Sequence, residues 1–363
     1  MKWHIASAVA VAGLLAGIGL YRAGAMLAEV EPNAEEAQLY QAVQVPQPQA
    51  PIAVASSTPQ FIVLSFDGSK SVDMLTQTLD FERTMAAEGK PLRFTYFINA
   101  AYFLTKDTAS VYQGPGQLPG VTSIGFSNSA DDIAKRVAAF NTAYAMGNEI
   151  GSHTVGHFNG KAWTYDEWKQ EFTSFAGLMS AVPQNNPSVA IDQPQFVSAI
   201  RGFRAPDLGV NNNLYKVEKD FNFTYDASGV GPGNAWPFKD SNGIWHIPLG
   251  GIKLNGDQPG IAMDYSLWMH QSQAKNTAVK GTPLWQSDFA EVTNAYEQYF
   301  DTNYNTTRAP VVIGHHFSKW NDGVYWEAMK AFATEECGKP QVRCITFSEL
   351  VEYLNTHGVP TKK

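Results

Sequence analysis

Two imidazoles four residues apart, in His153-Thr154-Val155-Gly156-His157, follow directly on a short β-like segment over 148–152. On one face of a helix such a pair can share a divalent cation, and imidazole suits zinc and other borderline first-row metals. The pair alone fits two histidines in a polar loop equally well. Further chemistry-bearing residues stand at the ends of β-rich runs: Asp67 in Ser65-Phe66-Asp67-Gly68, Arg204 in Arg204-Ala205-Pro206-Asp207, Asp226 after Tyr225, and His315 in Ile313-Gly314-His315-His316. Each has an ordinary role open to it: a helix N-cap for Asp67, an ion pair for Arg204 with Asp226, a satisfied loop histidine for His315. Together they would supply base, support and acid for hydrolysis beside a cation, provided that their strands run parallel and adjacent.

The elements that must position them alternate. The run Phe61-Ile62-Val63-Leu64-Ser65-Phe66 has the near-continuous apolar character of a strand buried on both faces. A helical stretch over 72–87 and a β-rich run over 93–98 follow, and further strand candidates fall at 148–152, 197–203, 223–226, 244–248 and 310–314. Ser129 with Asp132 marks one helix start, and Thr164 with Glu167 and Thr346 with Glu349 have the capping-box spacing of two more. The Gly- and Pro-bearing excursion 113–127 belongs on the rim. Such alternation predicts a parallel sheet with crossover helices, closed as a distorted (β/α) barrel of about seven parallel strands or left open as a doubly wound sheet.

In this order the segments resemble those of the polysaccharide deacetylase superfamily, the chitin- and peptidoglycan-deacetylase-like carbohydrate esterases. The resemblance runs from the first strand to the last helix. It implies the distorted barrel, with Asp67 as general base and His153 and His157 as metal ligands. Arg204, steadied by Asp226, would support the base, the Asp207 N–H would stabilise the oxyanion, and His315 would be the general acid. It also implies a divalent metal, zinc first with cobalt or nickel as alternatives, and an acetylated polysaccharide or oligosaccharide, such as a GlcNAc polymer, as partner. Two departures stand out: Gly68 lies where the family has a second, metal-binding Asp, and Asp207 where it has Tyr. With Gly68 in place of that carboxylate the third protein ligand is unidentified; Asp73, Asp264 and Glu149 are carboxylates that spacing alone does not place. Two functions follow: a metal-dependent hydrolase removing acetyl groups from amide or ester linkages, or a carbohydrate-binding protein on the same fold whose chemistry has lapsed.

Bulk properties narrow the setting. The 363 residues, 44% hydrophobic and 17% charged, suit one large core. A formal net charge of −8 with no Lys/Arg cluster excludes nucleic acid as partner. Residues 1–28 have a basic start and an apolar run from Ile5 to Leu20, the pattern of an export signal or an uncleaved membrane anchor. That implies a periplasmic, cell-envelope or extracellular location. Residues 29–59, with Pro46, Pro48 and Pro51, read as a linker, and 60–358 as the catalytic domain. The two cysteines, Cys337 and Cys344, suit a local disulfide in an oxidising compartment.

Overall fold

The computed structural model describes residues 58–360. The expected export segment, and all but the last two residues of the expected linker, lie outside the described residues. Among the described residues no helix is long and apolar enough to cross a membrane.

The first strand forms where the apolar run predicts it. β1 (Gln60–Asp67) is buried along its whole length, because it has a parallel strand on each side. β2 (Phe94–Ile98), β3 (Glu149–Ser152), β4 (Gly202–Phe203) and β5 (Tyr225–Asp226) follow. After β5 come β6 (Val230–Pro232), β7 (Phe238–Lys239), β8 (Trp245–His246), β9 (Leu249–Leu254) and β10 (Gln258–Ile261), and then β11 (Val311–His316) and β12 (Val342–Cys344). The main sheet has the order β11-β1-β2-β3-β4-β5-β8-β7, and all of its pairings are parallel except β7 with β8. β12 adds in parallel to the start of β1. Seven consecutive parallel strands, β11 to β8, curl into a half-barrel whose C-terminal strand ends share one rim.

A second, small sheet has the order β10-β9-β6. It reaches β11 through the bridge between Met263 and Gly314, where the Gly314 N–H donates to the Ala262 carbonyl at 2.8 Å. The strand expected over 197–203 is shorter than its apolar run: Val197–Ala199 is a 3₁₀ turn and only Gly202–Phe203 pairs.

Crossover helices cover the outside: α1 (Val72–Ala87), α2 (Ala130–Ala145), α3 (Tyr165–Ser180), α4 (Val182–Asn185), α5 (Asn212–Asp220), α6 (Asp264–Ser272), α7 (Pro283–Asn305), α8 (Trp320–Glu336) and α9 (Phe347–His357). Ser129 caps α2, and both expected capping boxes are formed, at Thr164 with Glu167 and at Thr346 with Glu349. Cys337 and Cys344 are joined in a disulfide that fastens the end of α8 to β12.

Candidate active site

Parallel register brings the rim residues together. Asp67 ends β1, and its register partners are Phe97 on one side and His316 on the other. Neighbouring strands lie about 4.8 Å apart and side chains alternate between faces, so Ser65, Asp67, Gly314 and His316 share the inner face. Arg204, which follows β4, fills that interior. It is wholly buried; its Nη1 donates to Asp67 Oδ1 at 2.8 Å and to Ser65 Oγ at 2.9 Å, and its Nε to the Ala227 carbonyl at 3.0 Å. The guanidinium lies 4.5 Å from the ring centre of Phe97. Gly314 lies against the same interior, where a Cβ would come 2.8 Å from Met263 Cε, 3.1 Å from Leu249 Cδ2 and 3.4 Å from Arg204 Nη1.

Burial alone would raise the Asp67 carboxyl, but Arg204 together with the imidazoles of His153 and His316 holds it below the ordinary carboxylate range. Asp67 is therefore an anion at neutral pH, the state that a base requires.

The two paired histidines do meet, with ring centres 4.9 Å apart. No helix carries them, contrary to the sequence expectation. Thr154 and His157 adopt left-handed backbone (φ 63° and 56°), and the segment is a tight turn after β3. Glu171 of α3 holds that turn: its carboxylate accepts from the N–H groups of Val155 and Gly156 at 2.8 and 3.2 Å and from the Tyr112 hydroxyl at 2.8 Å. His153 Nδ1 stands 2.7 Å from the Arg204 carbonyl, which can only accept, so Nδ1 carries the proton and Nε2 keeps its lone pair. Burial pushes His153 down to about 3, and burial likewise lowers His157 against the pull of Asp207. Both rings are neutral at physiological pH, as metal ligation demands.

Two sequence assignments change. His315 lies on the outer face of β11, its ring 5.8 Å from Phe66 and its Nε2 3.3 Å from the Tyr296 hydroxyl, and burial pushes it down to about 4. The histidine that shares a face with Asp67 is its neighbour, His316. Asp264, at the start of α6, fixes His316 twice: Oδ2 accepts from the His316 N–H and Oδ1 from Nδ1, each at 2.7 Å. The backbone N–H and Nδ1 of His316 are thus both committed to Asp264, and Nε2 is the ring nitrogen on the side away from it.

The second change is Asp226, which does not steady Arg204. Its carboxylate accepts from the Ser228 hydroxyl at 2.6 Å and lies 3.8 Å from His246 Nδ1, because Arg204 is followed in register by Ala227 and the Asp226 side chain alternates to the other face. Asp207 stands in the left-handed region (φ 53°) on the turn after β4, beside the histidine loop. Trp320 packs 5.2 Å from the His316 ring.

Whether these residues suit a divalent cation turns on the donors. Two neutral imidazoles, one with a defined free Nε2, suit zinc, and one oxygen of the nearby Asp207 carboxylate is buried without a hydrogen-bond partner. Among the described residues no three His, Cys, Asp or Glu side chains already converge as a metal cluster. Gly68 accounts for part of this, because it offers no side chain at the end of β1. The donor types fit, and His153 and His157 are the residues that would hold the ion.

No protein-family model matches the sequence, and no curated protein matches it. Solved structures do. A protein from Mycobacterium smegmatis described as a polysaccharide deacetylase is 14% identical and superimposes with a TM-score of 0.53, covering 88% of this chain and 98% of that one. Puue allantoinase is 10% identical with a TM-score of 0.50, covering 86% of this chain and 96% of that one. The class is thus that of curled, mostly parallel (β/α) half-barrels with a rim of polar residues at the strand ends. Within it, this chain has the polysaccharide-deacetylase fold.

Proposed function

We propose that the chain is a metal-assisted hydrolase that removes acetyl groups from an acetylated polysaccharide. The observation that carries this reading is the facing pair Asp67 and His316, one locked to a buried arginine and the other to a buried aspartate, beside two neutral imidazoles. A divalent ion held by His153 and His157 would polarise the acetyl carbonyl and lower the pKa of a nearby water. Asp67 takes the proton of the attacking water. His316 delivers a proton through Nε2 to the departing amine or alcohol, with Asp264 stabilising the charged ring. The Asp207 N–H, on the turn beside the imidazoles, is the backbone donor for the tetrahedral oxyanion.

A second reading has its own observation: Gly68 and the missing third ligand favour a carbohydrate-binding protein whose chemistry has lapsed. Protein reconstituted with zinc, cobalt or nickel and assayed for acetate release from chitin oligomers, peptidoglycan and acetylated xylan separates the two. Release from any of them supports the hydrolase; silence on all three with sugar binding intact supports the lapsed form. The N-terminal pattern favours export, with the first 28 residues as leader or tether.

A further inference from the structure

The residue at 68 leaves the end of β1 without a side chain, and a Cβ built there would meet nothing within 4 Å. That side of the site is open space. Across it, the turn after β4 holds two successive non-glycine residues in the left-handed region, Asp207 (φ 53°) and Leu208 (φ 53°). Such backbone costs about 1–2 kcal/mol per residue for side chains other than glycine, with Asp among the less penalised. The turn packs against the histidine loop: a Cβ at Gly209 would lie 2.2 Å from Asn159 Oδ1, two residues beyond His157. Asp207 Oδ1 is buried and has no hydrogen-bond partner. A buried carboxylate oxygen without a donor is costly unless a cation answers it.

We propose that Asp207 supplies the anionic ligand to the divalent cation held by His153 and His157, replacing from the β4 turn the carboxylate that Gly68 lacks. The donor set becomes two imidazoles and one carboxylate, with water in the remaining position, a combination that zinc adopts in catalytic sites. No three such side chains already converge among the described residues, so rotation of the Asp207 side chain onto the ion is part of the proposal. It rests on the metal reading of the site.

The test is cobalt and zinc binding by the full chain, followed by calorimetry and by the visible absorption of bound cobalt, with no substrate present. Asp207→Asn keeps the shape and tolerates left-handed backbone, and Asp207→Gly removes the strain altogether, so the two are tested side by side. Each is expected to weaken cobalt binding about 10- to 100-fold, at least the range commanded by outer-shell partners of a bound metal, and to change the cobalt spectrum. Gly68 has left-handed backbone (φ 86°), which Asp tolerates better than most residues, and Gly68→Asp added to Asp207→Asn is expected to recover part of the affinity, which a merely structural role for Asp207 would not allow. Affinity within twofold of wild type in both Asp207 variants, with binding abolished by His153→Ala, would overturn the proposal and leave the metal site standing. Failure of the wild type to bind either metal would overturn both together.

Discussion

Arg204→Met tests the centre of the site. The wild-type side chain is wholly buried against an Asp67 that is 3% exposed, and it makes three hydrogen bonds there. Methionine of similar length fills the space but leaves Asp67 as a buried anion without its main counter-charge. Breaking one side of such a pair costs about 3–5 kcal/mol. At about 2–4 °C per kcal/mol for a unit of this size, the melting temperature should fall by roughly 6–20 °C at pH 7.

The sign of the pH dependence follows from Asp67, whose folded pKa lies below its ordinary value of 3.8. A depressed carboxyl contributes stability that is present above the unfolded pKa and lost as pH falls through the folded one. The gap between wild type and Arg204→Met should therefore be widest near neutrality and close in acid below 3.8. Adding Asp67→Leu should recover much of the loss, because the unpaired charge goes with it. Calorimetry of the four proteins over a pH series provides the measurement. A melting temperature for Arg204→Met within about 2 °C of wild type, against the range expected above, or a double variant as unstable as the sum of the singles, would refute the buried-pair argument.

Replacing each histidine at the end of β11 separates acid from scaffold: His316→Ala should lower acetate release by about two to four powers of ten. His315→Ala, on the outer face, should act chiefly on stability, and a larger turnover loss there than at His316 would reverse the assignment. Burial lowers His153 to about 3 and His315 to about 4, from 6.5 in the unfolded chain. The unfolded state thus takes up protons that the folded one refuses, so melting temperature should decline as pH drops from 6.5 toward 4, and a flat profile would contradict it. Cys337→Ser with Cys344→Ser opens a short loop and should cost about 2–3 kcal/mol in chemical denaturation under oxidising conditions, with no effect when the wild type is measured reduced.

Much of the frame was legible because it follows from local physics. The apolar run at 61–66 is continuous because β1 is flanked on both sides and covered on both faces. Ser129, Thr164 and Thr346 cap helices because their hydroxyls meet N–H groups that have no partner within the helix. The pairing of His153 with His157 was legible, but the turn between them was not. Its left-handed residues are Thr154 and His157 rather than glycines, and the carboxylate that holds it, Glu171, arrives from a helix.

Strand parity was the harder matter. Adjacent histidines at 315 and 316 must point to opposite faces, and choosing between them requires the register of β11 against β1, which spans a sequence separation no local pattern encodes. Asp264, the partner of His316, lies about fifty residues away at a helix start and carried no spacing signal.

Parity also governs how the site's charge is held. Phe203 pairs with Asp226, so Arg204 falls level with Ala227, whose carbonyl accepts its Nε, and the Asp226 carboxylate turns outward to Ser228 and His246. Among the described residues the carboxylate in ion-pair contact with Arg204 is therefore Asp67 itself. An arginine steadied by a separate aspartate would have most of its charge neutralised before reaching the base. Here the full charge bears on Asp67 and offsets the burial that would otherwise protonate it. Arg204 is thus the largest of the contacts that keep the base ionised, and its loss should leave Asp67 buried without its main counter-charge.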